Sequence, residues 1–259
     1  MGERTDYTPG TFSWVDLSTP DPEAAKRFYG ALFGWQAEDL PVPGGGFYSM
    51  QRLDGRNVAA IAPQPQQQRD AGAPPAWQSY VTVASADDAA GRAGEVGGTV
   101  HAGPFDVMGA GRMAVIQDPQ GAFVMVWEPR DNIGAGLVNV PGALCWNELA
   151  APDLDAAPGF YSQLFGWTVE PFEGGPMRYL TIKVDGNTNG GMRETQPQEP
   201  PHWLVYFAVE DVEAAMGRVK ELGGGAVSGP HDMSSVGKIG VVQDTQGAVF
   251  ALYSGQLAP

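Results

Sequence analysis

Two acidic side chains occupy corresponding positions in the two halves of this chain. Asp16 follows a tryptophan by two residues in the segment WVDL, and Glu148 does the same in WNEL. Both segments are rich in strand-forming residues, and alternation along a strand places residues i and i+2 on one face. A carboxyl group among apolar neighbours has its charged form desolvated, which raises its pKa and suits general acid–base chemistry. The alternative, which we favour, is a polar contact to the backbone or to a ligand hydroxyl.

Few other polar side chains are candidates for chemistry. His231 lies in a predicted loop that would rim the same face, where it could contact a ligand. Arg112 follows a glycine, as Lys238 does in the second half, and either cation could bind an anionic ligand group or form a surface ion pair. The sequence shows no Ser-His-Asp set, phosphate-binding loop or Cys-His pair, and Cys145 has no partner base in view.

An internal repeat defines the elements that must position these residues. Residues 14–35 match residues 146–167 at an offset of 132, and residues 83–98 match residues 209–224 at an offset of 126. A repeat of this length indicates homologous domains, and each match begins with a strand that leads into a helix. We therefore predict two domains, at residues 8–130 and 142–255, joined by a linker at residues 131–141.

Each domain is expected to contain two copies of one βαβββ unit. In the first unit Phe12–Leu17 is a strand, Asp21 caps the following helix, and Gly34 ends it. Three short strands are then expected near residues 35–37, 47–53 and 58–62, with a hairpin turn at Asp54-Gly55. A Gln- and Pro-rich segment, residues 63–75, is expected to be a linker between the two units. The sequence thus predicts an α+β fold of four βαβββ units.

This pattern resembles the vicinal oxygen chelate superfamily, which includes glyoxalase I, the bleomycin-resistance proteins and the extradiol dioxygenases. The motifs that carry the resemblance are Asp21…Phe28-Tyr29…Leu32-Phe33-Gly34, Asp118-Pro119-Gln120-Gly121, Asp153…Phe160-Tyr161…Gly166 and Asp244-Thr245-Gln246-Gly247. The chain is similar in particular to the tandem actinobacterial branch often labelled glyoxalase-like or hydroxylase. The resemblance implies two tandem glyoxalase/bleomycin-resistance-like domains, each with a cup-shaped sheet. It leaves the function open, since the superfamily contains isomerases, transferases, dioxygenases and drug-binding proteins.

The resemblance also implies three metal-ligand positions in each cup, and this chain fills none of them with a usual ligand. The residues found there are Trp14, Gln78 and Met125 in the first domain and Trp146, Leu204 and Ala251 in the second. A divalent ion needs two or three side chains drawn from His, Asp, Glu and Cys. We therefore predict that both cups are free of metal, and we expect no other cofactor.

Alternation from the two tryptophans predicts what the cups contain instead. The concave face should be aromatic and mostly apolar with few polar groups, as in many small-molecule pockets. Each of these aromatic side chains could equally be core. The predicted ligand-binding residues are Phe12, Trp14, Gln78, Tyr80, Arg112, Met125, Trp127, Trp146, Leu204, Tyr206, His231 and Tyr253.

Composition narrows the range of partners. The net charge of −15 over 259 residues argues against binding to nucleic acid or to an anionic membrane surface. A single cysteine fits a reducing compartment. The sequence contains no apolar run of the kind that would indicate a secretory signal or a membrane span. We expect a cytoplasmic protein, either monomer or homodimer, whose partner is a small aromatic molecule.

Two functions from different classes follow from the sequence. In the first, the protein is a metal-free binding protein for an aromatic metabolite or antibiotic, with a role in resistance or as an accessory to biosynthesis. In the second, it is an enzyme, either a glyoxalase-like lyase or isomerase or a cofactor-free hydroxylase, that uses Asp16 or Glu148 as acid and base. Replacement of the metal ligands in both domains favours the first function.

Overall fold

The predicted strand–helix units combine in pairs. In a computed structural model, which describes residues 2–43, 45–174, 177–233 and 236–256, units one and two share one sheet and units three and four share another. The elements of the first domain are β1 (Phe12–Thr19), α1 (Pro22–Phe33), β2 (Gln36–Pro41), β3 (Phe47–Leu53), β4 (Arg56–Pro63), α2 (Gln66–Asp70), β5 (Ala76–Thr82), α3 (Ala86–Glu95), β6 (Thr99–Val107), β7 (Gly111–Gln117) and β8 (Phe123–Pro129).

The second domain repeats this plan without the short helix α2. Its elements are β9 (Leu144–Ala151), α4 (Ala157–Phe165), β10 (Thr168–Pro171), β11 (Tyr179–Val184), β12 (Asn187–Glu194), β13 (His202–Ala208), α5 (Val212–Glu221), β14 (Gly225–Asp232), β15 (Gly237–Gln243) and β16 (Val249–Gly255).

Each sheet has eight strands within the described ranges, and its two units meet in the middle. The strand orders are β2-β3-β4-β1-β5-β8-β7-β6 and β10-β11-β12-β9-β13-β16-β15-β14. The opening strands of the two units, β1 and β5, pair antiparallel, while β1 also pairs parallel with β4. The second domain has the same pairings between β9, β13 and β12. The predicted α+β fold of four βαβββ units is confirmed.

The residues predicted to begin and end helix α1 do so in the structure. The Asp21 side chain accepts a hydrogen bond from the Ala24 amide, and Gly34 ends the helix with a left-handed φ of 77°. Asp54 and Gly55 both have positive φ, as the tight hairpin between β3 and β4 requires. The segment at residues 63–75 differs from the expected linker, because it contains α2.

The tyrosines of the two Phe-Tyr motifs hold the domains together. The Tyr29 hydroxyl accepts a hydrogen bond from Trp77 at 3.0 Å and donates to the Asp244 carboxylate of the other domain at 3.2 Å. Tyr161 makes the reciprocal contact with Asp118 at 2.8 Å. All of these groups are buried. The motif residues therefore contribute to the interdomain core, which lies on the side of each sheet that its helices cover.

The segment that joins the domains packs against the first domain. The Ala135 amide donates to the Ser13 carbonyl, and the Gly136 amide donates to the Asn57 carbonyl, both at 2.8 Å. A side chain at Gly134 would collide with the Ser13 backbone, so the close approach requires glycine there. Among the described residues, no helix is both long and apolar enough to cross a membrane.

One predicted cup residue belongs to the interdomain core instead. The pairing of β1 with β5 shifts between Phe12 and Trp14, which marks a bulge. The Phe12 ring lies 5.4 Å from the Trp167 ring and 4.9 Å from the Trp203 ring of the second domain. The bulge interrupts the alternation from which the position of Phe12 was predicted, so its ring packs in the interdomain core; Phe12 also borders the cavity, and its role as a ligand contact remains a prediction.

Candidate functional site

Strand pairing brings the predicted cup residues into register. In the first domain Trp14 lies opposite Tyr80, which in turn lies opposite Met125 on β8. One step along the strands, Asp16 lies opposite Gln78. The second domain presents the corresponding residues, which are Trp146, Tyr206, Ala251, Glu148 and Leu204. We call these two faces the first cup and the second cup.

A chain of hydrogen bonds fixes the carboxylate of the first cup. Asp16 Oδ2 accepts from the Tyr80 hydroxyl at 2.8 Å and from the Tyr48 hydroxyl at 3.0 Å. The Trp14 indole N–H donates to the Tyr48 oxygen at 2.9 Å. The other carboxylate oxygen, Asp16 Oδ1, accepts no hydrogen bond from a described residue. One oxygen is therefore held in place by the protein, and the other is available to a ligand.

Burial dominates the electrostatics of Asp16. The residue is 7% exposed, and desolvation raises its pKa to about 6 despite the opposing hydrogen bonds from Tyr80 and Tyr48. Burial and the neighbouring carboxylate raise the pKa of both tyrosines well above 10. No cation within the described residues contributes to the environment of Asp16. The carboxyl group consequently titrates close to neutral pH, whereas the tyrosines stay protonated.

The second cup repeats the framework and adds a cation. Trp146 donates to the Tyr179 hydroxyl at 2.9 Å, as Trp14 does to its tyrosine. The Tyr179 and Tyr206 hydroxyls contact Glu148, and burial together with that charge raises their pKa values. Arg193 Nε donates to Glu148 at 2.8 Å, and its side chain is 13% exposed. Glu148 is therefore paired with a guanidinium that the first cup does not have.

The same guanidinium binds a second carboxylate. Its two terminal nitrogens donate to the two Glu199 oxygens at 2.7 and 2.6 Å. Such two-point contacts fix the plane of the Arg193 side chain. The strand register explains why the first cup has no such guanidinium. Arg193 pairs with Ala150 on β9, and the residue in this position of the first domain is Ala62, which pairs with Ser18.

The two tryptophans differ in accessibility. Trp14 is 4% exposed and belongs to a core cluster with Met125 and Trp127. Trp146 is half-buried and lies on the cavity wall of the second cup. The Trp127 indole N–H donates to the Asn132 carbonyl at 2.8 Å, so the segment joining the domains covers part of the first cup. One indole is thus a core residue, while the other presents surface to the cavity.

Arg112 faces away from the first cup. Its guanidinium binds Asp87 on α3 at 2.7 and 3.0 Å and Asp106 at 2.9 Å. Its neighbours Met113 and Val115, in contrast, line the cavity. The prediction that Arg112 is part of the cup is wrong, because the alternation of β7 directs Met113 inwards and Arg112 towards the helix. The alternative of an ion pair is the correct one.

The other predicted residues lie on or near the cup walls. Gln78, Tyr80 and Met125 line the first cup, and Leu204, Tyr206 and Tyr253 line the second. The Tyr253 hydroxyl donates to the Val236 carbonyl at 2.8 Å. His231 lies in strand β14 and not in the predicted loop, and it is exposed, with a ring nitrogen 2.7 Å from the Ser228 hydroxyl. The placement of the wall residues agrees with the prediction, while the role of all these residues as ligand contacts remains a prediction.

The cavity system extends over both cups. Its volume of about 2430 Å³ exceeds the roughly 300–1,000 Å³ of a single small-molecule site, so it comprises several adjoining spaces. The described residues contain no group of three His, Cys, Asp or Glu side chains able to hold a metal ion. Tryptophan, tyrosine and methionine occupy the row across β1, β5 and β8, a set that does not fit a divalent metal.

Sequence reasoning missed Tyr48, Tyr179 and Arg193. The tyrosines stand 131 residues apart, one residue from the offset of the first repeat, and each follows a glycine-rich stretch of sequence. That spacing could have revealed them. Arg193 lacks a counterpart in the other half, and its contact with Glu148 depends on the parallel pairing of β12 with β9. The repeat therefore carried no signal for it.

Comparison with known proteins agrees with this architecture. Residues 11–126 match the Glyoxalase/Bleomycin resistance protein/Dioxygenase superfamily, and residues 145–253 match the glyoxalase-like domain. The chain belongs to the glyoxalase/bleomycin resistance/dioxygenase superfamily and contains two of its domains in tandem.

Relatives with similar sequences span nearly the whole chain. The Mycobacterium tuberculosis protein named "Putative glyoxylase CFP32" is 43% identical over 255 residues, which is 97% of each chain. The anthracycline biosynthesis protein DauV of Streptomyces sp. (strain C5) is 35% identical over 262 residues, covering 96% of this chain and 94% of DauV.

More distant solved structures share the fold. The 2,3-dioxygenase LapB from Pseudomonas sp. KL28 has a TM-score of 0.66 and 13% identity, covering 96% of this chain and 93% of LapB. The Mn(II)-bound glyoxalase from Novosphingobium aromaticivorans has a TM-score of 0.64 and 16% identity, covering 98% and 83% of the two chains. At these identities the likeness concerns the fold alone.

Proposed function

We propose that this protein is a metal-independent binding protein for a small aromatic molecule, which it holds in the second cup, and that it has an accessory role in a biosynthetic pathway. The observation that carries the proposal is the Trp146 indole. It is half-buried on the cavity wall, and its N–H is bonded to Tyr179, so the ring presents a fixed face to the cavity. Stacking on such a face contributes about 0.5–1.5 kcal/mol beyond the burial of apolar area.

The remaining wall of the second cup suits the same type of ligand. Leu204, Tyr206 and Ile239 supply apolar and aromatic surface around the indole. Arg193 is bonded to both Glu148 and Glu199, so Glu148 already has a cationic partner and does not need one from the ligand. Relatives named for anthracycline biosynthesis support a role in the formation of aromatic products.

The test is calorimetric titration with alizarin, a planar hydroxylated anthraquinone, of the wild type and of two matched variants. Trp146→Leu should weaken binding about tenfold, because it removes the stacking face while leaving an apolar wall. Trp14→Leu should leave affinity within about twofold in protein that remains folded by circular dichroism, because that ring is closed off from the cavity. Equal losses in the two variants, or no binding by the wild type, would count against the proposal.

A second candidate function is acid–base catalysis by Asp16. The observation in its favour is the free Oδ1 of a carboxyl group whose pKa is about 6, facing the cavity. Glu148 is less suited to this role, because Arg193 occupies it. If the protein turns over a substrate, Asp16→Asn should abolish the reaction and Glu148→Gln should retain it. Turnover that survives Asp16→Asn would remove this candidate.

A further inference from the structure

The first cup contains a carboxylate whose counter-cation is missing. In the second cup Arg193 lies against Glu148, whereas Ala62 takes the corresponding position beside Asp16. The two tyrosine hydroxyls satisfy Oδ2 of Asp16 but bring no positive charge. A buried charge without a partner is costly. The first cup therefore has room for a cation in the position that the Arg193 guanidinium takes in the second cup.

This position in the first cup is bordered by polar groups that lack hydrogen-bond partners among the described residues. Asp16, Ser18, Ala62 and Gln78 all line the cavity. Ser18 pairs with Ala62 across β1 and β4, and its enclosed hydroxyl has no hydrogen-bond partner among the described residues. The Gln78 amide, opposite Asp16, likewise makes no hydrogen bond with the part of the chain that the structure describes. Asp16 and Gln78 thus supply two oxygen acceptors to this part of the cavity, beside the enclosed hydroxyl of Ser18.

From these contacts we infer that the first cup is a second ligand site, specific for an organic amine, whose protonated nitrogen takes the position that Arg193 takes in the second cup. A primary ammonium has three N–H donors, enough to bind both the Asp16 carboxylate and the Gln78 amide oxygen. The apolar body of the ligand would lie against Met113, Val115 and Met125, which line the same cup. Thioether side chains adapt to ligands of different shape. The net charge of −15 favours approach of a cation.

The amine should displace a proton from Asp16. Its pKa is raised to about 6 by burial, and a bound cation would lower it again. The groups that face Asp16 are Tyr48 on β3, Tyr80 on β5 and the uncharged Ala60 and Ala62 on β4. The tyrosine pKa values are raised well above 10, so neither tyrosine titrates in this range. Affinity for the amine should therefore fall about tenfold per pH unit below about pH 6 and level off above it.

The experiment compares benzylamine with benzyl alcohol, a neutral analogue of similar size, by ligand-observed NMR titration at pH 7.5. We expect benzylamine to bind at least about tenfold more tightly, because a charge-assisted hydrogen bond is worth about tenfold to a hundredfold in affinity. Asp16→Asn should reduce its affinity to that of the alcohol. Ala62→Arg should abolish amine binding, because it supplies the missing guanidinium from the protein itself.

Several outcomes would overturn the inference. They are equal affinity for the amine and the alcohol, amine binding that persists in Asp16→Asn, and affinity that does not change between pH 5 and pH 7.5. Displacement of benzylamine by potassium chloride but not by sodium chloride at equal ionic strength would assign the site to a metal cation instead. Failure of this inference is distinguishable from failure of the second-cup proposal, which alizarin binding tests separately.

Discussion

The two cups share a framework and differ in how they balance its charge. Each has a tryptophan whose indole N–H binds a tyrosine, and each has a carboxylate in contact with that tyrosine and a second one. In the second cup a guanidinium neutralises the carboxylate, while in the first an alanine leaves it unpaired. A single side chain on β12 or β4 thus changes the chemistry of an otherwise repeated site.

The cups also differ in which aromatic surface they expose. Trp14 is closed into the core together with Trp127, which the segment joining the domains covers. Trp146 is only half-buried among the described residues and remains part of the cavity wall. The first cup therefore offers polar groups from its floor, and the second offers an aromatic face. Two domains related by repeat need not bind the same molecule.

The largest expected effect concerns the ion pair that distinguishes the cups. Arg193→Met should lower the free energy of unfolding by about 3–5 kcal/mol, because it leaves Glu148 and Glu199 without their cation in a largely buried site. Urea denaturation monitored by circular dichroism measures the change. Lys238→Met, which removes an exposed ion pair with Glu213, is the control and should have little effect on stability, because solvent screens the exposed pair. Similar losses in both variants would mean that the buried ion pair contributes no more to the free energy of unfolding than the exposed one.

The second test compares the two tryptophans. Trp14→Ala should lower the free energy of unfolding by about 3–5 kcal/mol, as expected for deletion of a buried large side chain. Trp146→Ala should cost only about 1–2 kcal/mol, within the usual range for a partly exposed residue. The same denaturation measurement applies. A larger loss of stability for Trp146→Ala than for Trp14→Ala would contradict the assignment of Trp14 to the core and of Trp146 to the cavity wall.

The third test uses pH to detect the raised pKa of Asp16 in the first cup. The pKa of Asp16 is raised from 3.8 to about 6, so the folded state binds its proton more tightly than the unfolded state does. The stability of the wild type relative to Asp16→Asn should therefore fall as pH rises from about 4 to about 6, by roughly 3 kcal/mol in total. Chemical denaturation at a series of pH values measures the difference. A constant difference across that range would contradict the raised pKa.

The smallest expected effects lie where the two halves are alike. Tyr29→Phe and Tyr161→Phe each remove one interdomain hydrogen bond to a buried carboxylate. Each should lower the free energy of unfolding by about 1.5–3 kcal/mol, the usual contribution of a hydrogen bond to a charged group. Thermal unfolding by calorimetry should show similar losses for the two variants. Markedly unequal losses would show that the asymmetry of the cups extends to the interface.

Sequence alone determined the repeat, the boundaries of α1 and the faces of regular strands. The offset of 132 identified the domains, and the capping residue Asp21 and the helix-ending Gly34 fixed α1, because their backbone chemistry is local. Alternation placed Asp16 and Gln78 on one face, since the side-chain period of two is intrinsic to an extended chain. The motif spacing also showed that a tryptophan, Trp14 or Trp146, stands at one expected metal-ligand position in each domain.

Only the tertiary structure decided which of these residues meet and which stay accessible. A bulge beside Trp14 turned Phe12 into the interdomain core, and the register of β7 turned Arg112 towards α3. The cation beside Glu148 and its absence beside Asp16 depend on parallel pairing between β9 and β12 and between β1 and β4. Periodicity assigns a face only while a strand remains regular. Contacts between distant segments arise from pairing and packing, which local sequence does not encode.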